Sequence, residues 1–117
     1  MEIRIESLIE GAQRARGTVV IIDVFRAFTT AAVALARGAQ RIVIATQPQE
    51  ALRLRDQGVG DLCVGEINGK RPDGFDYGNS PYEMSQAVMA GKAIILSTRS
   101  GTAGVEAATH AEAIYGC

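Results

Sequence analysis

Short β-branched apolar runs alternate with longer amphipathic runs along the chain. Apolar side chains at every second position predict strands, and spacings of three and four predict helices. The predicted strands are IRIES (3–7), TVVIIDV (18–24), RIVIA (41–45), DLCVGE (61–66), KAIILST (92–98) and, more weakly, AEAIYG (111–116). The predicted helices are AFTTAAVALARG (27–38), PQEALRLRDQG (48–58), SPYEMSQAVMAG (80–91) and TAGVEAATHA (102–111). This alternation predicts an α/β fold in which helices cover both faces of a mostly parallel sheet.

Local signals support the helix boundaries. Three predicted helices end in glycine, at Gly38, Gly58 and Gly91, as left-handed C-caps prefer. The SPYE run predicts a helix start with Ser80 as N-cap and Glu83 closing a capping box.

Charged and hydroxyl side chains are concentrated at the end of the second predicted strand. The apolar run from Val19 is typical of a buried strand, and Asp23, Arg26, Thr29 and Thr30 follow within a few positions. Asp23 and Arg26 either neutralise each other as an ion pair or face a ligand. In the second case Asp23 is a metal ligand or nucleophile, and Arg26 is a guanidinium clamp for phosphate.

Two further groups of polar residues follow predicted strands. The aperiodic loop EINGKRPDGFDYGN (66–79) carries Glu66, Asp73 and Asp76, which are hard oxygen donors of the kind that Mg²⁺ prefers. A solvated acidic loop is the alternative interpretation. The stretch STRSGT (97–102) offers hydroxyl groups, Arg99 and free backbone N–H groups to an anion, although N-capping by Thr98 or Ser100 explains it equally well. Because ligands bind beyond the carboxyl ends of parallel strands, all three groups mark one candidate site.

Composition narrows the function classes. The 117 residues suit one domain, and 13 acidic against 12 basic residues do not indicate a nucleic-acid or anionic-membrane partner. Apolar runs are shorter than the roughly 18 residues of a membrane span, and the acidic N-terminus does not resemble a signal peptide. Cys63 and Cys117 lack metal-type spacing. Cys63 lies in an apolar, strand-like run and is expected in the core, and a reducing, cytoplasmic location is expected for the protein.

Several phosphate chemistries are excluded by spacing. GEINGKR has three residues rather than four between its glycines, and Arg71 follows Lys70 where a Walker loop needs Ser or Thr. An aspartyl-phosphate enzyme would carry a second Asp two positions after Asp23, where Phe25 stands. Six positions after Cys63 a cysteine phosphatase would carry Arg, and this chain has glycine. His110, the single histidine, is predicted on a late helix away from the strand ends.

Three blocks together resemble the 2-phosphosulfolactate phosphatase family, whose members are Mg²⁺-dependent and associated with coenzyme M biosynthesis. They are IDVFRAFTT from Ile22, GEINGKRPDGFDYGNSP from Gly65 and LSTRSGT from Leu96. The resemblance implies a three-layer α/β/α domain over residues 1–117 that corresponds to the N-terminal half of the family. One departure is Ser100, which stands where the family usually has Asn, and Arg99 is an extra cation.

The resemblance also implies roles for single residues. It assigns Asp23, Glu66 and Asp76 to Mg²⁺, and it counts Arg26 with them as catalytic. The residues expected to bind the phosphate and the substrate are Thr29, Thr30, Asn79, Ser80, Thr98, Arg99, Ser100, Gly101 and Thr102. Lys70 or Arg71 is expected to meet the sulfonate.

The expected activity is hydrolysis of 2-phosphosulfolactate to sulfolactate and phosphate. The expected partner is therefore a small anionic phosphate ester, with no nucleic acid and no membrane, and homo-oligomerisation is left open. A broad phosphomonoesterase and a non-catalytic anion-binding or assembly module are the alternatives. The attacking group, water or Asp23, is also left open.

Overall fold

The β-branched runs form parallel strands and most amphipathic runs form helices in a computed structural model, which describes residues 1–24 and 26–117. The strands are β1 (Gly17–Ile21), β2 (Arg41–Ile44), β3 (Leu62–Gly65), β4 (Tyr77–Gly78), β5 (Ala93–Ser97) and β6 (Ala111–Gly116). The helices are α1 (Leu8–Arg14), α2 (Ala27–Ala36), α3 (Pro48–Asp56), α4 (Pro81–Gln86) and α5 (Gly101–Ala107). Phe25, inside the first block, lies outside the described residues.

Every strand pair is parallel among the described residues. Four strands form one sheet in the order β2-β5-β3-β4, and β1 pairs with β6 in a second ladder. Strand β5 is buried along its whole length, because successive side chains point to opposite faces and helices lie on both. Ile94 and Leu96 pack in a cluster with Met84 of α4, whereas Ile95 packs with Ala51 of α3. The three-layer α/β/α prediction is therefore confirmed.

The predicted strand at residues 3–7 is wrong. These residues form no strand in the structure and are exposed. The alternation of Ile3 and Ile5 with charged residues is typical of a strand, but a strand also needs a neighbour to pair with, which residues 1–24 and 26–117 do not provide. Helix α1, which follows directly, was not predicted, because LIEGAQR is short and contains Gly11.

The expectation that the run from Val19 is a buried strand is only half correct. Val19 is buried, but Val20, Ile22 and Val24 are exposed on the other face. The β-branched composition correctly indicated a strand, since it reports local backbone preference. It did not indicate how many faces of that strand are covered.

Helix ends follow the local signals with two exceptions. Gly38 and Gly58 have positive φ angles of 94° and 75°, as the C-cap prediction requires. Helix α4 ends at Gln86, so Gly91, although its φ is also positive, closes a later turn. Ser80 Oγ accepts from Glu83 N as predicted, but the Glu83 carboxylate accepts from Gly78 N instead of closing the box. No helix among the described residues is long and apolar enough to cross a bilayer.

Candidate active site

An open cavity of about 760 Å³ lies beyond the carboxyl ends of β2, β3 and β5. Each strand contributes polar side chains where it ends. Thr46 follows β2, Glu66 follows β3, Ser97 ends β5, and Thr98 comes directly after it. Helices α1 and α5 form the opposite wall, with Gln13 and Glu106 among the lining residues. The volume and position are those of a small-molecule site in a parallel α/β sheet.

Glu66 accepts hydrogen bonds from two different loops at the edge of this cavity. Its Oε2 accepts from Gly69 N at 2.7 Å, and its Oε1 accepts from Arg99 N at 3.4 Å. Arg99 Nη1 in turn donates to Asn68 Oδ1 at 2.8 Å. The loops after β3 and β5 are thus joined by backbone and side-chain contacts, and the Arg99 guanidinium is fixed beside the cavity.

Asp23 lies against the start of α5. An alanine methyl at position 101 would be 2.8 Å from Asp23 Oδ2, so glycine at this position lets the carboxylate approach the helix. Among the described residues, Asp23 and Arg26 form neither a hydrogen bond nor an ion pair. The ion-pair interpretation of the charged strand end is therefore not supported, and Asp23 is half-buried beside Gly101, outside the lining of the cavity.

The stretch STRSGT has features of both interpretations, helix capping and anion binding. Thr98 and Thr102 bind each other reciprocally, since Thr102 Oγ1 donates to Thr98 O at 2.6 Å and also accepts from Thr98 N. Both threonines are buried and serve the first turn of α5. Ser100, the N-cap residue, makes no side-chain cap and is exposed together with Arg99. Arg99 and Ser100 are consequently the groups of this stretch that face solvent.

Asp76 does not lie beside Glu66, although both belong to the same loop. Its Oδ2 accepts from Cys63 N at 2.7 Å and from Arg55 Nη1 at 2.9 Å. It lies beside the beginning of β3, whereas Glu66 follows the end of that strand. Among residues 1–24 and 26–117, no three His, Cys, Asp or Glu side chains converge as a metal-binding group. The sequence places Asp76 and Glu66 in the same loop, so it could not indicate that they lie at opposite ends of β3.

Replacing Asp76 by alanine is expected to lower the free energy of unfolding by about 2 kcal/mol. The loss comes mainly from the Cys63 N–H, which is buried and would have no acceptor. The ion pair adds little, since both side chains are about a third exposed. Urea denaturation measures the change, with Asp73→Ala in the same loop as the exposed control. Equal losses in both variants would contradict a structural role for Asp76.

The remaining predicted site residues lie around α2 and α4. Thr29 and Arg26 are exposed at the start of α2. Thr30 and Asn79 are buried, and Thr30 Oγ1 and Asn79 Oδ1 have no hydrogen-bond partner among the described residues. Ser80 is occupied as the cap of α4. None of them lines the cavity.

Four polar side chains of the cavity were missed by the sequence reasoning, those of Gln13, Thr46, Gln47 and Glu106. Thr46 follows a predicted strand, so the rule that selected Glu66 and Thr98 would have found it. Gln13 carries no such signal, because α1 was not predicted and reaches the cavity through tertiary packing on α5.

Neither cysteine nor histidine contributes a nucleophile to the cavity. Cys63 is fully buried, as expected, and burial raises the pKa of its thiol above the usual range. A raised pKa keeps the thiol protonated and unreactive. His110 lies in the turn between α5 and β6 instead of on a helix, where its Nδ1 is 3.2 Å from Gln13 O.

Comparison with known proteins gives a consistent result. The sequence model of the 2-phosphosulpholactate phosphatase family matches residues 3–117. A probable 2-phosphosulfolactate phosphatase from Thermotoga petrophila is 44% identical over 89 residues, which are 76% of this chain and 38% of the relative. One with the same description from Thermus thermophilus is 38% identical over 109 residues, 92% of this chain and 45% of the relative.

The chain thus spans less than half the length of these curated relatives. The family model covers residues 3–117, a range that includes every strand and helix among the described residues. The chain belongs to the 2-phosphosulfolactate phosphatase family.

Proposed function

We propose that the chain carries the phosphate-ester site of a phosphatase that hydrolyses 2-phosphosulfolactate. The observation that supports this most is the cavity at the strand ends, which Glu66, Thr98 and Arg99 line together. Asp23 approaches the same segment at Gly101, two residues after Arg99. Family membership adds the phosphatase chemistry and the names of the relatives add the substrate. A cytoplasmic location is part of the proposal.

We assign Mg²⁺ to two protein carboxylates, that of Glu66, which lines the cavity, and that of Asp23, which lies beside Gly101 at the start of α5. Mg²⁺ commonly takes one or two carboxylates and completes its shell with water and substrate phosphate. Asp76 is not needed for such a site, and its contacts with Arg55 and Cys63 explain its presence in the loop. When bound, the ion would polarise the phosphoryl oxygens and offset their negative charge.

Anion recognition is assigned chiefly to Arg99. Its guanidinium is held by Asn68 beside the cavity, and a fixed planar fork suits the oxygens of a phosphoryl group. The exposed Ser100 hydroxyl is a second donor to the same group. Of the two cations expected to meet the sulfonate, Arg71 donates to Asp76 O at 3.3 Å, away from the cavity. Lys70 is therefore the better assignment.

Hydrolysis is proposed to proceed by direct attack of water. The water oxygen bonds to phosphorus, the ester P–O bond breaks, and the departing sulfolactate oxygen takes a proton. Asp23 is better suited than Glu66 to accept the proton of the attacking water, because both Glu66 oxygens already accept backbone N–H groups.

Phosphate release from 2-phosphosulfolactate tests the proposal. With Mg²⁺ the chain is expected to turn over the substrate, and EDTA is expected to reduce the rate by about a hundredfold or more. p-Nitrophenyl phosphate serves as the unspecific substrate and the Thermus thermophilus relative as the positive control. If the relative is active and this chain is not, the proposed function is wrong for this chain. Equal rates on both substrates indicate a broad phosphomonoesterase.

A further inference from the structure

One face of the β1–β6 ladder is covered and the other is open. Val19 and Ile21 point toward the covered face, where the position of Gly104 in α5 lies close to the Ile21 side chain. Gly116, the register partner of Ile21, leaves room on the same face for the ring of Phe28. Helices α5 and α2 therefore cover this side of the ladder.

The opposite face of the ladder is apolar and exposed. Val20 is 54% exposed, Ile22 70% and Val24 71%, and these three residues alternate along one side of the chain. Tyr115, the register partner of Val20, is 61% exposed and extends this face across β6. We call these four residues the open face. Four large apolar side chains in one contiguous group are typical of an interface, because isolated exposed apolar residues are ordinary and a continuous patch is not.

Parallel strands are normally covered on both sides. In this chain β5 meets that rule, with α4 and α3 on its two faces, whereas the described part of the chain provides β1 and β6 with a helix layer on one side only. The covering layer that the open face lacks should therefore come from polypeptide other than the described helices. More than half of each reported relative has no counterpart in this chain, so the family has enough additional polypeptide to supply it.

We propose that the open face is the docking surface for the part of the family that this chain does not match, contributed as a layer with an apolar side. The occupant is that additional polypeptide, and a second copy of this chain is the rival. The proposal is independent of the phosphatase activity, since it rests on burial alone.

Thiol labelling tests the docking proposal in a Cys117→Ser background. This background is mild, because Cys117 contacts β1 through backbone atoms, with its N donating to Ile21 O and its O accepting from Asp23 N. Ile22→Cys is the probe on the open face. Val88→Cys, which is 77% exposed and follows α4, is the matched control. Each variant is labelled with a maleimide in the chain alone and in a fusion to the unmatched part of the Thermus thermophilus relative.

The fusion is expected to slow labelling of Ile22→Cys by about tenfold or more and to leave Val88→Cys unchanged. Unchanged labelling at Ile22→Cys in a folded fusion would overturn the proposal. So would slow labelling in the chain alone that depends on protein concentration, because a second copy would then be the occupant. A fusion that does not fold is replaced by the full-length relative with cysteine at the position aligned with Ile22. There, fast labelling would again reject the proposal.

Discussion

Replacing Gly65 by alanine is expected to lower the free energy of unfolding by about 3 kcal/mol or more, a large share of the stability of a small domain. Gly65 ends β3 opposite Ser97 of β5, and a methyl group there would be driven into the Ser97 carbonyl and toward the Phe75 ring. Both obstacles are buried, so neither can move aside without disturbing the sheet. Urea denaturation measures the loss.

Gly58→Ala is the matched control for this variant. Gly58 has a φ of 75° and open space around it, so alanine there carries only the left-handed backbone penalty of about 1 kcal/mol. A similar loss in both variants would mean that β3 and β5 are not packed as closely as the structure places them. Since Glu66 follows Gly65 directly, the Gly65 variant should also lose any phosphatase activity.

Asp23→Asn is expected to reduce phosphate release by about a hundredfold and to change stability little. The substitution keeps the size of the side chain and removes the charge that the proposal assigns to Mg²⁺ and to the attacking water. No hydrogen bond to the Asp23 carboxylate is found among the described residues, so little native structure depends on that charge. Initial rates at saturating Mg²⁺ measure the effect.

Asp61→Asn provides the isosteric control. Asp61 Oδ2 accepts from Ala93 N at 2.8 Å, and Ala93 begins β5 at the edge of the sheet opposite to the cavity. This variant should keep its activity, because the amide oxygen can still accept the same hydrogen bond. Wild-type activity in Asp23→Asn would remove Asp23 from the site, and equal losses in both variants would show a general effect of carboxylate removal.

Local features of the sequence predicted the strands and helices where one signal dominates. The β-branched composition of β5 and the cap at Ser80 act over a few residues, and both are observed. The failures at residues 3–7 and on the open face share one physical cause. A strand pattern describes a segment, whereas pairing and coverage depend on neighbours that the segment does not encode.

In the candidate site, too, local signals predicted some positions correctly and missed those that depend on tertiary structure. Residues that follow strands directly, such as Glu66 and Thr98, were placed correctly at the cavity because parallel strands align their carboxyl ends. Asp76 was grouped with them by proximity in the sequence, yet its loop returns to the beginning of β3. Thr98 and Thr102 do reach the expected region, but hydrogen bonds to each other occupy them.

The pairing of β1 with β6 has a consequence for how the chain acquires its structure. Gly17 is paired with Ala111, so an early strand finds its partner only in the last strand described. During synthesis β1 therefore leaves the ribosome long before β6, and its apolar side chains have no ladder partner while β2, β3 and β5 assemble. Closing so long a loop is slow compared with forming local contacts. The ladder that bears Asp23 is consequently expected to form last in folding, and chaperone binding to the nascent chain should concentrate on β1.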